Sequence, residues 1–210
     1  VSTLPVYKNQ VSFDDNHNMT GGDFDEMKEL ALEVAQRLGL DKANLVITDD
    51  SPDEDYKKKV TEKFESVGQT VPQGYFAPTK VIVKTDGIEI EVDMRMTATV
   101  LFEPSLSLLP EHNFTHFASY EEKATVAEYL KTQYKDLIGF ENPQVVIYGG
   151  DYNIYGQQMF SIGFFDASAD ETEKIVNYNF NRIEFHCDDD GKLVIARLYR
   201  PDLTAKAGDY

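Results

Sequence analysis

One pattern occurs twice in this chain. A helical run ends at Gly39 and is followed by Leu45, Val46 and Ile47; a second ends at Gly139 and is followed by Val145, Val146 and Ile147. The spacing agrees at each matched position, since 139 − 39, 145 − 45 and 147 − 47 all give 100. A helix with one apolar stripe needs a surface to bury it, and a strand that follows closely is the nearest candidate. A chain built this way is pushed towards helices packed on a sheet.

The first run covers about residues 23–38. Phe24, Met27, Leu30, Ala31, Val34, Ala35 and Leu38 recur at three- and four-residue spacing. Asp23 and Glu26 make a box-like cap, and Gly39 takes the left-handed stop. The second run covers about residues 120–138, with Ser119 and Glu122 as its capping box and Ala124, Ala127, Leu130, Tyr134, Leu137 and Ile138 as its stripe. Each copy then reaches a hairpin. Lys80–Thr85, Asp86-Gly87 and Ile88–Asp93 give a strong signal, with Ile88, Ile90, Val92 and Met94 alternating and the strand running on through Thr97, Thr99 and Leu101. In the second copy a run from Ile175 to Cys187 leads to Asp190-Gly191 and a last strand, Lys192–Tyr199. The two turns differ by 104, which sets Phe180 on Phe76, Phe185 on Val81 and Cys187 on Val83. The expected fold is therefore α+β: two tandem copies of a helix–strand–(insert)–β-hairpin unit, with helices packed on antiparallel sheet. Residues 1–20 form an extended or loose lead-in, 21–103 the first copy, 104–118 a linker and 119–210 the second copy. The inserts differ: polar and helical over Asp53–Phe64 in the first, strand-like in the second. Leu203–Tyr210 carries no stop signal, so the chain is expected to continue in its parent.

The chain has 210 residues, 41% of them hydrophobic and 12% aromatic, which suits a packed core. Its formal net charge of −17 disfavours nucleic acid and anionic membrane surfaces, and reads as solubility. No apolar run approaches the ~20 residues of a membrane span, so no direct membrane insertion is expected. The sequence begins at Val1 without Met, so an upstream segment is expected to have been removed, by cleavage of a leader or by trimming. Cys187 is the only cysteine, which excludes an intrachain disulfide and a CxxC site.

Chemistry-bearing motifs are few. The acidic run Asp49–Asp55 fails the EF-hand spacing, because Glu54 and Val60 stand where Gly and Glu are needed. His112 and His116 are four apart and would share a helix face, but Asn113, Phe114 and Thr115 between them do not favour helix. His186 and Cys187 are adjacent in a strand, so one turns inward and the other outward, with Cys187 on the core side. There is no G-x-S-x-G elbow, and Ser161 sits in an aromatic strand. Paired carboxylates for glycoside hydrolysis have no signature among 37 acidic side chains. No catalytic residue, metal ligand or cofactor site is assigned. In the aromatic cluster Phe160 and Phe164 share a parity and point inward, while Tyr152 and Tyr155 near the Gly149-Gly150 turn are candidates for partner contact. Leu106, Leu108 and Leu109, between Pro104 and Pro110, would cover an open sheet edge or meet a partner.

The stretches LALEVAQRLGLDKANLVI with VIVKTDGIEIEV, and VAEYLKTQYKDLIGFENPQVVI with IEFHCDDDGKLVIARLY, resemble PepSY-type domains and the extracytoplasmic regulators of sensor kinases that share their topology. The acidic, tyrosine- and asparagine-rich style resembles lipoproteins of Gram-positive bacteria, whose lipid-bearing cysteine would lie upstream of Val1. The resemblance implies a non-enzymatic binding or regulatory module of the cell envelope, outside the cytoplasm, with a protein or peptide partner. The alternatives are a secreted hydrolase using dispersed carboxylates or a His112/His116 metal site, and a structural part of a longer envelope protein.

Overall fold

The apolar stripe of the first run organises the core. Met27, Leu30, Ala31, Val34 and Ala35 of α1 (Phe24–Arg37) are all buried, each large aliphatic contributing about 1.5–3 kcal/mol of transfer free energy. Gly39 and Gly139 follow their helices at φ of +73° and +67°, the left-handed conformation that costs glycine little.

The structure, a computed structural model, describes residues 3–7, 24–107, 119–148, 151–152, 158–168, 170–188, 192–200 and 203–207. The lead-in contains a strand, β1 (Thr3–Tyr7). After α1 come β2 (Val46–Asp49), α2 (Glu54–Ser66), β3 (Lys80–Thr85), β4 (Ile88–Asp93) and β5 (Thr97–Ser107). The second half holds α3 (Tyr120–Gln133), α4 (Lys135–Ile138), β6 (Pro143–Ile147), β7 (Asp151–Tyr152) and β8 (Gln158–Asp166). It ends with α5 (Glu171–Phe180), β9 (Arg182–Asp188), β10 (Lys192–Tyr199) and β11 (Leu203–Ala207).

The expected α+β class holds. Eight antiparallel strands pair in the order β2-β3-β4-β5-β10-β9-β8-β6, with β7 beside β8, and β1 pairs with β11 in a separate two-stranded sheet. Read inward from either edge, the order is a helix-following strand, two further strands, and a strand that meets its counterpart at the β5–β10 seam. One face of the sheet is apolar. Val81, Val83, Ile90, Val92, Val100, Ile162, Phe164, Phe185 and Cys187 join the stripes of α1, α3 and α4 in one buried cluster. Phe160, Phe164 and Cys187 are inward, as the alternation predicts. The helix ends also touch: Arg37 Nη1 donates to the carbonyl of Leu137 at 3.4 Å, and Glu33 holds both Arg37 and Arg200.

Several expectations change. β4 does not run on through Thr97. The chain reverses at Asp93, whose carboxylate accepts from the backbone N–H of Arg95 (2.9 Å) and of Thr97 (3.1 Å), while Met96 adopts φ +56°. Met94 therefore lies in a turn. The strand-like insert of the second copy contains a helix: Asp170 caps α5 by accepting from Glu173 N at 2.8 Å. The second helical run breaks at Tyr134, and its buried stripe includes Val126. The first four residues of the expected linker, 104–107, belong to β5. Between the pairs Leu106↔Leu193 and Leu101↔Ile195, β5 has four residues where β10 has one. That bulge accommodates Pro104, which has no N–H to give a neighbouring strand. The two hairpins also hold different places. Asp86-Gly87 joins the second and third strands from one edge, whereas β9 and β10 are the third and fourth from the other. The matching of the two turns at an offset of 104 is not reproduced in the sheet.

Candidate functional site

Strand alternation that buries one face of the sheet turns a second set of side chains to the other. Register arranges these in rows across all eight strands. The central row runs Thr48, Ile82, Glu91, Thr99, Arg197, Glu184, Gly163 and Val146. Beside it, Lys80, Asp93, Thr97, Tyr199, Arg182 and Phe165 make one flanking row. Lys84, Glu89, Leu101, Ile195, His186 and Ser161 make the other. At the β8 end α5 lies against this face, with Tyr178 edge-on to Phe165 at 5.3 Å between ring centroids.

Under β8, β9 and β10 the polar groups interlock. Glu184, only 8% exposed, lies 2.8 Å from Arg182 Nε and accepts from the Tyr199 hydroxyl at 3.3 Å. The Arg182 guanidinium stacks over the Tyr199 ring. Ser161 Oγ and His186 Nδ1 are 2.9 Å apart, and His186 Nε2, buried and without a hydrogen-bond partner among the described residues, is 3.7 Å from Glu184 Oε2. Burial lowers the His186 pKa, the Arg197 charge lowers it further, and Glu184 opposes both. Burial likewise raises the phenols of Tyr148 and Tyr199. Gly163 leaves room for the Tyr148 ring: a Cβ there would come within 3.2 Å of Tyr148 Cε2, and the ring would have to shift by a few tenths of an ångström.

Ser161, His186 and Glu184 thus form a hydroxyl–imidazole–carboxylate line absent from the sequence reading, since only the β8–β9 register brings Ser161 and His186 together. The 3.7 Å between His186 Nε2 and Glu184 is beyond hydrogen-bond reach, so the line is not a continuous proton relay. Acyl transfer also needs backbone donors aimed at an oxyanion, and residues 162–165 of β8 are paired on both sides, with their donors engaged in the ladder. The polar groups fall into two sets, Ser161 with His186 and Glu184 with Arg182 and Tyr199.

Towards the seam the face opens into a trough of about 470 Å³. Its floor is the three seam pairs Thr97/Tyr199, Thr99/Arg197 and Leu101/Ile195, and Lys80, Glu91, Asp93 and Arg95 form its side.

Leu106 stands within the sheet opposite Leu193, not over an open edge. Tyr152 pairs with Gln158 at the short β7. Tyr155, Leu108, Leu109, His112 and His116 lie outside the described residues, as does Asp23. The acidic run has structural employment. Asp50 accepts from the N–H groups of Thr79 (2.7 Å) and Lys80 (2.9 Å) and from the Thr79 hydroxyl, and Asp53 caps α2. Among the described residues no group of three His, Cys, Asp or Glu is placed to hold a metal, and no helix is long and apolar enough to cross a membrane. No family model, curated protein or solved structure matches the chain.

Proposed function

We propose that this chain is a non-enzymatic binding or regulatory module of the bacterial cell envelope, acting outside the cytoplasm on a protein partner. The observation that carries the reading is the asymmetry of the sheet. One face is buried under α1, α3 and α4, while the other presents fixed polar rows around a trough. A face ordered by ion pairs such as Lys80–Glu91 (3.1 Å) and Lys84–Glu89 (2.7 Å) is preorganised, which lowers the entropic cost of docking. The net charge of −17 and the resemblance to PepSY-type domains support placement in the envelope. We further propose that the sheet descends from two tandem helix–strand–(insert)–hairpin units meeting at the β5–β10 seam, which the mirrored strand order supports.

The test compares partners retained from an envelope extract by the wild-type protein and by two variants. Thr99→Arg fills the trough, and Glu62→Arg alters an exposed residue of α2. A partner held by the wild type and by Glu62→Arg but lost with Thr99→Arg is the expected result. A partner held equally by all three, or none at all, overturns the reading.

A further inference from the structure

The seam of the sheet carries a cation without a carboxylate. On the open face Lys80, Lys84 and Arg182 each hold an acidic partner within 3.1 Å. Arg197 does not: among the described residues its side chain bonds only the Tyr199 hydroxyl, and its charge is felt by His186. Glu184, opposite it in register, is already engaged by Arg182 and Tyr199. The threonines beside it, Thr97 and Thr99, have hydroxyls that bond no described residue. A half-buried guanidinium next to two uncommitted hydroxyls is a donor set for a carboxylate, which guanidinium binds through two parallel N–H groups. The trough lining contains three cations, Lys80, Arg95 and Arg197, against two carboxylates, Glu91 and Asp93. Cations thus outnumber carboxylates in this lining, in a chain with 20 basic and 37 acidic side chains.

Two residues along β10, on the same face, the pair Leu101/Ile195 makes an apolar patch. An extended segment repeats its side-chain direction every second residue at the same rise as a strand. We propose that the trough binds an extended segment of a protein partner in which an acidic residue and an aliphatic residue stand two positions apart. The carboxylate meets Arg197 and the threonine hydroxyls; the aliphatic side chain covers Leu101 and Ile195. This rests on the binding-module reading and names the chemistry of its partner. The net charge of −17 repels an acidic segment at long range, but beyond roughly 8 Å that repulsion is largely screened at physiological salt, whereas a contact at the half-buried Arg197 is screened much less.

The probe is a capped threonine pentapeptide carrying Glu and Leu two positions apart, titrated into the whole protein while backbone amide signals are followed by NMR. Saturable shifts at Thr99, Ile195 and Arg197 are expected. Replacing Glu by Gln in the peptide, with the protein unchanged, should weaken binding at least about tenfold, and Arg197→Gln should do the same. Lys58→Gln, an exposed change on α2, should bind as the wild type does. No saturable shift at millimolar peptide, equal binding of the Gln peptide, or shifts confined to other strands would overturn the proposal. If the peptide fails while Thr99→Arg still releases a partner, the acidic anchor is wrong and the binding face stands. If Thr99→Arg releases nothing, the binding reading itself falls.

Discussion

His186 shows how one residue can serve the fold at a cost in acid. It is held neutral by burial and by the nearby Arg197 charge, with Ser161 across the strand pair and Glu184 partly offsetting. A base whose folded pKa is depressed takes up its proton more readily when unfolded. The stability it contributes is complete above its ordinary value of 6.5 and is lost as pH falls from there through the lower folded value. His186→Gln keeps a polar group without the titration. Melting temperatures measured against pH should show the wild type losing stability as pH drops below 6.5, and the variant lacking that component. Parallel curves would show that His186 titrates as it does in the unfolded chain. Glycines separate in the same way. Gly39 and Gly87 both have positive φ, yet a Cβ on Gly39 meets nothing within 4 Å, while one on Gly87 meets the backbone oxygen of Glu103 at 2.9 Å. Ala at position 39 should cost about 1 kcal/mol in urea denaturation, and Ala at position 87 distinctly more, because neighbouring backbone must also shift. Such turn glycines are legible in sequence; the approach of Glu103 is not.

Among the elements, those whose signals are local were readable in advance. The Ser119/Glu122 box forms as its spacing indicates, with Ser119 N donating to Glu122 at 2.6 Å, and α1 lies where its stripe places it. The β4–β5 turn was not readable, because Asp93-Met94-Arg95-Met96 has no glycine or proline, and its reversal depends on Asp93 holding two N–H groups. Helix α5 was obscured by Ile175, Val176, Tyr178 and Phe180, residue types that favour strands. Helices α1 and α2 also differ in what holds them. α1 buries five residues and α2 none; α2 relies on the Asp53 cap, the edge-on contact of Phe64 with Tyr75 and exposed pairs such as Lys57–Glu54 at 2.8 Å. Exposed pairs of this kind are worth only a few tenths of a kcal/mol. Hydrogen exchange should therefore release α2 amides well before those of α1. Leu30→Ala should cost about 2–5 kcal/mol, whereas Lys58→Ala should fall within about 0.5 kcal/mol of wild type. Equal protection of the two helices would mean that α2 has packing partners outside the described residues.

At the scale of the molecule, the candidate site depends on pairing that no local signal reveals. Alternation shows which side chains of β5 and β10 share a face, but the two strands are about a hundred residues apart in sequence, and only their register sets Arg197 beside Thr99. The same seam decides cooperativity. Ala98, Val100, Ala196 and Leu198 are buried across it, and the core cluster runs without interruption from α1 and β3 on one side to α3 and β8 on the other. Arg37 and Glu33 add contacts from α1 to α4 and to the end of β10. Neither half can bury its seam strand alone, so the halves should unfold together in spite of their mirrored order. Urea denaturation followed by backbone circular dichroism and by tyrosine fluorescence should give coincident transitions. Val100→Ala, which opens a cavity against Ala196, should move both by the same amount, about 1–3 kcal/mol. Two separated transitions, or a shift seen by one probe alone, would show that each half carries its own stability and that the trough lies on a boundary able to open.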